Sequence, residues 1–223
     1  MHQNAGRMLA SKWLKTTALL TDGYVARHIP PTRIYSRGNM KTMLDRFGMV
    51  VLKPVRGAGG NGVVKVSRSG RGYRVHAKTS VRHFNTFAAL CGHIGRLKGR
   101  RAYLIQKGIR LATIAGRPVD YRVKYVKTES GWRIRAMVGR VARKGLFVTN
   151  LCRGGMQVSA SQGIARSLSP SLIAAKKSHM RNLTRVSTSL LERRFPGIGQ
   201  LGYDYGIDVG GRIWMLEVNT RPQ

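Results

Sequence analysis

Four glycines crowd into six positions between two apolar runs in the segment VVLKPVRGAGGNGVVKV, Val50 to Val66. Few folds accept such a segment. Gly57, Gly59 and Gly62 match the spacing G-x-G-x-x-G, but the Val63-Val64-Lys65-Val66 that follows reads as a strand, where a dinucleotide-binding loop requires a helix. No Lys-Ser or Lys-Thr follows the glycines, so the phosphate-loop pattern fails as well. The spacing through Val64 also satisfies the protein-kinase glycine loop, yet no His-Arg-Asp or Asp-Phe-Gly follows. What fits is strand, glycine flap, strand, with Gly57, Ala58, Gly59, Gly60, Asn61 and Gly62 as the flap. Its unobstructed backbone N–H groups can fold over a triphosphate, and Lys53 at the end of the preceding strand can meet the phosphate charge. A glycine-rich hairpin turn of purely structural purpose is the plainer alternative.

The twenty residues from Tyr203 to Pro222 supply the second constraint. Three of the eight acids of the chain, Asp204, Asp208 and Glu217, fall there. The turn signal Asp208-Val209-Gly210-Gly211 separates two runs of alternating apolar residues, which predicts a β-hairpin. Paired strands would set Asp204 beside Glu217 and put Asn219 on the same face. Two carboxylates and an amide oxygen at a strand end make a hard-oxygen site suited to Mg²⁺. The alternative is a surface hairpin with incidental acids.

Charge is the third unusual property. The 223 residues carry 41 Lys and Arg against 8 acids, a net +33, with no acid between Asp45 and Asp120. So much like charge implies a polyanionic partner or substrate, whether nucleic acid, an anionic cell-wall polymer or an acidic protein surface. The basic residues are spread evenly, and no helix-turn-helix, zinc-finger or ribonucleoprotein aromatic motif stands out. The pattern therefore favours anions in general over a read base sequence. A solvated basic surface without a dedicated partner is the alternative. Cys91 and Cys152 lack metal-ligand spacing and are expected as core thiols in a reducing compartment. The residues before Leu20 read as no signal peptide, and no apolar run is long enough to span a membrane.

Along the chain, apolar spacing predicts a helix over Ser11–Thr21 and a short helix over Lys41–Phe47 ending at Gly48. Strands are expected at Met49–Leu52, Val63–Val66, Tyr73–Ala77 and Ala102–Gln106, with a helix over Phe84–Leu97. Several strands follow to about Val148. A long helix, Pro170–Arg194, is expected with Ser169 as its N-cap and Leu172, Ile173, Met180, Leu183, Val186 and Leu190 on its core face. The six histidines, His2, His28, His76, His83, His93 and His179, show no ligand spacing in sequence and are expected as solvated or core residues.

Together, Lys53 with its glycine flap and the later Asp204…Glu217-Val218-Asn219 resemble the ATP-grasp superfamily. SKWLKT (Ser11–Thr16), IPPTRIY (Ile29–Tyr35) and YLIQKGIRLATIAGRPVDYRV (Tyr103–Val123) resemble its short endospore-coat-associated members. MVGRVARKGLFVTNLCRGG (Met137–Gly155) is similar to its ribosomal-protein glutamate-adding ligases. The resemblance implies an α/β (α+β) two-lobed fold of antiparallel sheets flanked by helices, with nucleotide in the cleft. Residues 1–47 would pack on a first lobe of residues 48–107, and residues 108–223 would form the second.

The resemblance also implies roles. Lys53 would contact ATP phosphates, Gly57–Gly62 would close over them, and Gln106, Lys107, Gly108 and Ile109 would form a hinge that reads adenine. Asp204, Glu217 and Asn219 would hold one or two Mg²⁺ ions. Arg122, Arg140, Asn150 and Arg153 would surround the transferred phosphoryl group and the acceptor; without the family, Arg122 and Arg140 read as exposed strand charges. The implied reaction is ADP-forming ligation of a small-molecule or peptide carboxylate to an amine, more rarely a thiol, in the mother-cell cytoplasm or at the spore coat. A nucleotide-binding coat protein of low turnover is the alternative. About fifty residues precede the first nucleotide-binding strand, so a separate N-terminal domain is not expected. Gln106-Lys107 stands where many relatives carry an acid.

Overall fold

A computed structural model describes residues 6–220 of the chain. The first half contains α1 (Lys12–Leu19), α2 (Gly23–Ala26), β1 (Thr32–Ile34), α3 (Arg37–Phe47), β2 (Met49–Pro54), β3 (Val64–Ser69), β4 (Gly72–Ala77), β5 (Ser80–Phe84), α4 (Phe87–Lys98) and β6 (Tyr103–Lys107). The second half contains β7 (Thr113–Ile114), β8 (Arg117–Thr128), β9 (Gly131–Val141), β10 (Met156–Ser159), α5 (Ala160–Ser167), α6 (Ile173–Arg194), β11 (Gln200–Ile207) and β12 (Ile213–Asn219).

The chain divides into two compact units. Among the described residues, one comprises residues 30–109 and 145–147; the other comprises residues 6–29, 110–144 and 148–220. Each is built on one antiparallel sheet, of strand order β1-β6-β2-β3-β4-β5 in the first and β10-β9-β8-β11-β12 in the second. This division corrects the expected one. Residues 6–29 do not join the glycine-loop lobe, because Leu19, Val25 and Ile29 are buried in the apolar core of the other unit, beside Met180 and Leu183 of α6.

In the glycine-loop unit, strand alternation sorts side chains cleanly. Val50, Leu52, Val64, Val66, Val75 and Ile105 face a core closed by Met40, Met43 and Leu44 of α3 and Leu90, Cys91 and Ile94 of α4. Each helix begins at a hydroxyl cap, Ser36 and Thr86 respectively, and α3 stops at Gly48 in the left-handed conformation. The helix expected from Phe84 starts three residues later, since Ser80–Phe84 pairs with β4 as an edge strand.

In the larger unit, Tyr121, Val123, Tyr203, Tyr205, Met215 and Val218 point to one face of the sheet, into a core shared with α6. The buried phenols of Tyr203 and Tyr205 find partners in the hydroxyls of Thr188 and Thr184, at 2.8 and 3.0 Å. The long helix is shorter than expected: Ser169 caps a 3₁₀ turn, Pro170–Leu172, and α6 proper begins at Ile173. Cys91 is buried as expected; Cys152 is exposed, because it sits on the 3₁₀ turn Leu151–Arg153 instead of in a core element. Among the described residues no helix is long and apolar enough to cross a membrane.

Candidate active site

In the glycine-loop unit, the sheet face turned away from α3 and α4 carries the polar side chains. Register aligns Thr32, Gln106, Val51, Lys65 and His76 in one row across five strands, with Lys53 two residues along from Val51. Lys53 Nζ donates to Gln106 Oε1 at 2.7 Å, and Gln106 Nε2 donates to Thr32 Oγ1 at 2.9 Å. The Gln106 side chain is thus buried and bonded at both ends, and Lys107 ends β6. Gly108 follows tightly against Met49, where a Cβ would meet Met49 Cγ at 2.6 Å. Ile109 closes this stretch of the unit.

Lys65 and His76 are additions that sequence reasoning missed. His76 Nε2 lies 3.1 Å from the Gly145 carbonyl, and its ring and the Lys65 ammonium both pack on Phe147. Burial lowers the pKa of Lys65, with Arg74 adding to the effect; burial and Lys65 lower that of His76. The signal was available: in paired strands two apart from Lys53, Lys65 falls on the same face.

The glycine loop is a bend that only glycine accepts. Gly59 and Gly60 take φ of 64° and 69°, and Gly62 takes 72°. A Cβ on Gly62 would lie 2.7 Å from Tyr103 Oη, which itself donates to the Gly62 carbonyl at 2.9 Å. Tyr103 therefore anchors the C-terminal end of the loop. Gly57, Ala58 and Asn61 are exposed, with a weak turn bond from Asn61 N to Ala58 O at 3.3 Å.

In the larger unit the face opposite the tyrosines holds a charge cluster. Register pairs Asp120 with Arg140, Arg122 with Asp204, Asp204 with Glu217, and Gly202 with Asn219. The expected hairpin and the expected Asp204–Glu217 pairing are both present. The register shifts between Asp204 and Tyr205, and Leu216 is the extra residue of the bulge. Asp208 organises the hairpin turn, accepting from Gly210 N, Arg212 N and Trp214 Nε1 at 2.8–3.0 Å.

Arg122 grips Asp204 with two parallel bonds of 2.8 and 2.9 Å, and Arg140 grips Asp120 the same way at 2.7 and 2.5 Å. Arg140 also reaches Asp204 at 3.1 Å. Neither arginine is the exposed strand charge that sequence alone suggested: their side chains are 19% and 4% exposed. Two guanidiniums and two carboxylates balance, which makes burial of four charges tolerable. Burial lifts the Asp120 pKa above the usual carboxylate range despite Arg140. Burial pushes Asp204 the same way, but two guanidiniums outweigh it and hold its carboxyl below that range. The asymmetry follows from contact: Asp204 touches both arginines, Asp120 one.

Asp120 is the residue that sequence reasoning passed over, although the Asp-x-Arg spacing places it on the face of Arg122. Thr149 donates a further hydrogen bond to it, which brings the next residue, Asn150, close to the cluster. Arg153 lies three residues on in the same 3₁₀ turn, half-buried, its N–H bonded to the Asn150 carbonyl at 2.9 Å. Glu217 pairs with Lys12 Nζ at 3.4 Å, and Asn219 is half-buried at the end of β12.

A family model described as YheC/D like ATP-grasp matches residues 3–223. The chain belongs to that family. It is 26% identical over 220 residues to the endospore coat-associated protein YheD of Bacillus subtilis (strain 168), a match covering 95% of this chain and 48% of the relative. It is 24% identical to YheC of the same organism, over 97% of this chain and 61% of the relative. The chain thus spans about half of one relative and three-fifths of the other. Among solved structures, N5-carboxyaminoimidazole synthase from Aspergillus clavatus superposes with a TM-score of 0.60 at 14% identity, covering 98% of this chain and 46% of that one. D-alanyl-alanine synthetase A from Vibrio cholerae gives 0.56 at 16%, covering 95% and 55%. D-cycloserine synthetase DcsG gives 0.59 at 12%, covering 96% and 63%. These likenesses show the ATP-grasp fold, with its two antiparallel sheets flanked by helices. In this ATP-grasp chain Lys53 and the glycine loop sit on one sheet, and the Asp204–Glu217 pair sits on the other.

Proposed function

We infer that the chain is an ATP- and Mg²⁺-dependent ligase that joins a carboxylate to an amine and releases ADP and phosphate. The observation that carries this reading is the charge cluster, in which Asp204 and Glu217 are cross-strand partners beside buried Arg140 and half-buried Arg122. A purely structural sheet has little use for that much buried charge.

Asp204, Glu217 and Asn219 suit Mg²⁺: three hard oxygen donors on adjoining rows of one sheet face. Their carboxylates already hold cations, Arg122 and Arg140 on Asp204 and Lys12 on Glu217, so their negative charge is in place for a divalent ion to share or exchange. When bound, Mg²⁺ would neutralise phosphate charge and fix its orientation. Lys53 would pair with the phosphates, and the Gly57–Gly62 loop would cover them and exclude water. A substrate carboxylate oxygen attacks the γ-phosphorus, the bond to ADP breaks, and an acylphosphate forms. The amine nitrogen then attacks the acyl carbon, phosphate leaves, and the nitrogen loses a proton. Arg122, Arg140 and Arg153 would offset the charge that builds on the transferred phosphoryl oxygens, since guanidinium keeps its proton throughout; Asn150 would orient the acceptor. The +33 charge suits an anionic acceptor such as an acidic peptide or a cell-wall-derived carboxylate.

The names of the relatives support a role at the spore coat; a place in the mother-cell cytoplasm belongs to the same proposal. The excess charge, which the site alone does not require, favours one second reading: a coat protein that binds nucleotide or polyanion with little turnover. Titration with ATP in the presence and absence of Mg²⁺ separates the two, followed by ADP-release assays over a panel of carboxylates and amines. The ligase reading expects Mg²⁺-dependent binding that Glu217→Ala and Lys53→Met each weaken at least about tenfold, equivalent to losing one charge-assisted contact. Metal-independent binding, or none, sinks it.

A further inference from the structure

The six histidines are scattered in sequence, yet the fold brings two of them tip to tip. His28, just after α2, and His179 on α6 are separated by 151 positions, and their Nε2 atoms lie 3.3 Å apart. The rings stand nearly perpendicular, at 86°, with centroids 4.7 Å apart. His28 Nδ1 lies 2.9 Å from the Ile213 carbonyl oxygen. A carbonyl only accepts, so Nδ1 carries the proton and the Nε2 of neutral His28 presents a lone pair towards His179. Both rings are half-buried, which leaves them reachable from solvent.

The geometry points to a divalent transition-metal site of Zn²⁺, Ni²⁺ or Cu²⁺ class, ligated by Nε2 of His28 and Nε2 of His179. The spacing is the first argument. Metal–nitrogen bonds of about 2.0–2.1 Å at a tetrahedral angle set the two nitrogens about 3.3–3.4 Å apart. The backbone-locked tautomer is the second, because a ligating imidazole ordinarily donates its other N–H to a carbonyl or carboxylate. On metal binding the proton that His179 Nε2 shares with His28 Nε2 would move to Nδ1 of His179.

Among the described residues no group of three His, Cys, Asp or Glu side chains gathers to hold a metal, so water would complete the shell. Nearby cations are partly occupied elsewhere: Lys176 Nζ donates to the Gly211 carbonyl and Arg212 Nη2 to that of Arg27. Tyr24 stacks on His179 and accepts from Asn182 Nδ2, which screens one flank. A bound metal would clip α6 to the segment after α2 and, through Ile213, to strand β12. Soft imidazole ligands prefer these metals to Mg²⁺, so the site is chemically separate from the carboxylates of Asp204 and Glu217.

The test is calorimetric titration of the full chain with ZnCl₂ and with NiCl₂, without nucleotide. Native protein should bind one ion that His28→Ala and His179→Ala each weaken by more than the ten- to hundredfold typical of losing an outer-shell partner. His83→Ala, at an exposed edge-strand position, should bind as native, and MgCl₂ should not compete. Circular dichroism checks that each variant is folded. NMR of the native chain needs no variant: substoichiometric Ni²⁺ should broaden the imidazole signals of His28 and His179 before those of the other histidines. Absence of binding by the native chain, binding as tight as native by either single variant, or broadening that starts at other histidines overturns the site. None of these results depends on whether the chain is a ligase.

Discussion

The Asp120–Arg140 pair permits a prediction with a sign that can be worked out. Both side chains are almost fully buried, at 6% and 4% exposed. Replacing Arg140 with Met leaves Asp120 buried without its partner, while Asp204 keeps Arg122. Breaking a buried pair of this kind costs about 3–5 kcal/mol at neutral pH. Asp120 has an escape, however. Burial already raises its pKa, and without Arg140 it can take up a proton and become neutral. In the variant, Asp120 then binds a proton in the folded state that the unfolded chain, titrating near the ordinary carboxylate value, does not. Folded stability must therefore rise as pH falls, by about 1.4 kcal/mol per unit, or roughly 3 kcal/mol between pH 7 and pH 5. Asp120→Asn offers no such relief, because the surplus charge then lies on two guanidiniums that share Asp204 and cannot lose their protons. Its deficit should be nearly the same at both pH values. Urea unfolding followed by tryptophan fluorescence is a suitable assay, since Trp13, Trp132 and Trp214 all belong to the unit that holds the pair. Equal deficits for Arg140→Met at pH 5 and pH 7, relative to native, would refute the reasoning.

Lys15 is buried with its ammonium donating to the Leu9 carbonyl at 2.7 Å, and burial, against the pull of Glu217, holds its pKa down to about 8. Between pH 8 and 10 the unfolded chain keeps a proton that the folded chain has lost, so native stability rises with pH across that window. Lys15→Met should therefore stabilise by about 1–2 kcal/mol at pH 7, with the gain fading towards pH 10; a gain independent of pH would contradict this. Gly62→Ala should lower stability by about 1–3 kcal/mol, through its left-handed φ and the clash with Tyr103, and weaken ATP binding with it. Gly62→Ala combined with Tyr103→Phe should recover only part of the stability, because the backbone strain persists; full recovery would assign the cost to the clash alone.

The parts of the fold that were legible in the sequence are those that local chemistry dictates. The final hairpin was readable because Asp208 and two glycines can turn a chain and alternating residues on either side can pair, which places Glu217 opposite Asp204 without tertiary information. The glycine flap was readable for the same reason, since a strand on each side excludes a helix-starting loop. What the sequence hid are groupings made by non-local contact. Residues 1–29 carry amphipathic patterns that could pack on any apolar sheet; only the join of Leu19, Val25 and Ile29 with α6 decides which unit receives them. Cys152 reads as a core thiol in composition, but a 3₁₀ turn sets it on the surface.

Asp120 shows how charge can mislead. In a chain this basic, an arginine on a strand reads as one more solvated cation, and a lone acid beside it as its incidental neighbour. Pairing of β8 with β9 and β11 brings Asp120, Arg122, Arg140 and Asp204 onto one face, where they neutralise one another away from water. Because those four charges balance, they add nothing to the net charge that draws in a polyanion, and their attraction for one another is screened little in that low-dielectric setting. The surface arginines that dominate the net charge act through water and salt. Raising ionic strength should therefore weaken capture of a polyanion far more than it disturbs the Arg122–Asp204 pair.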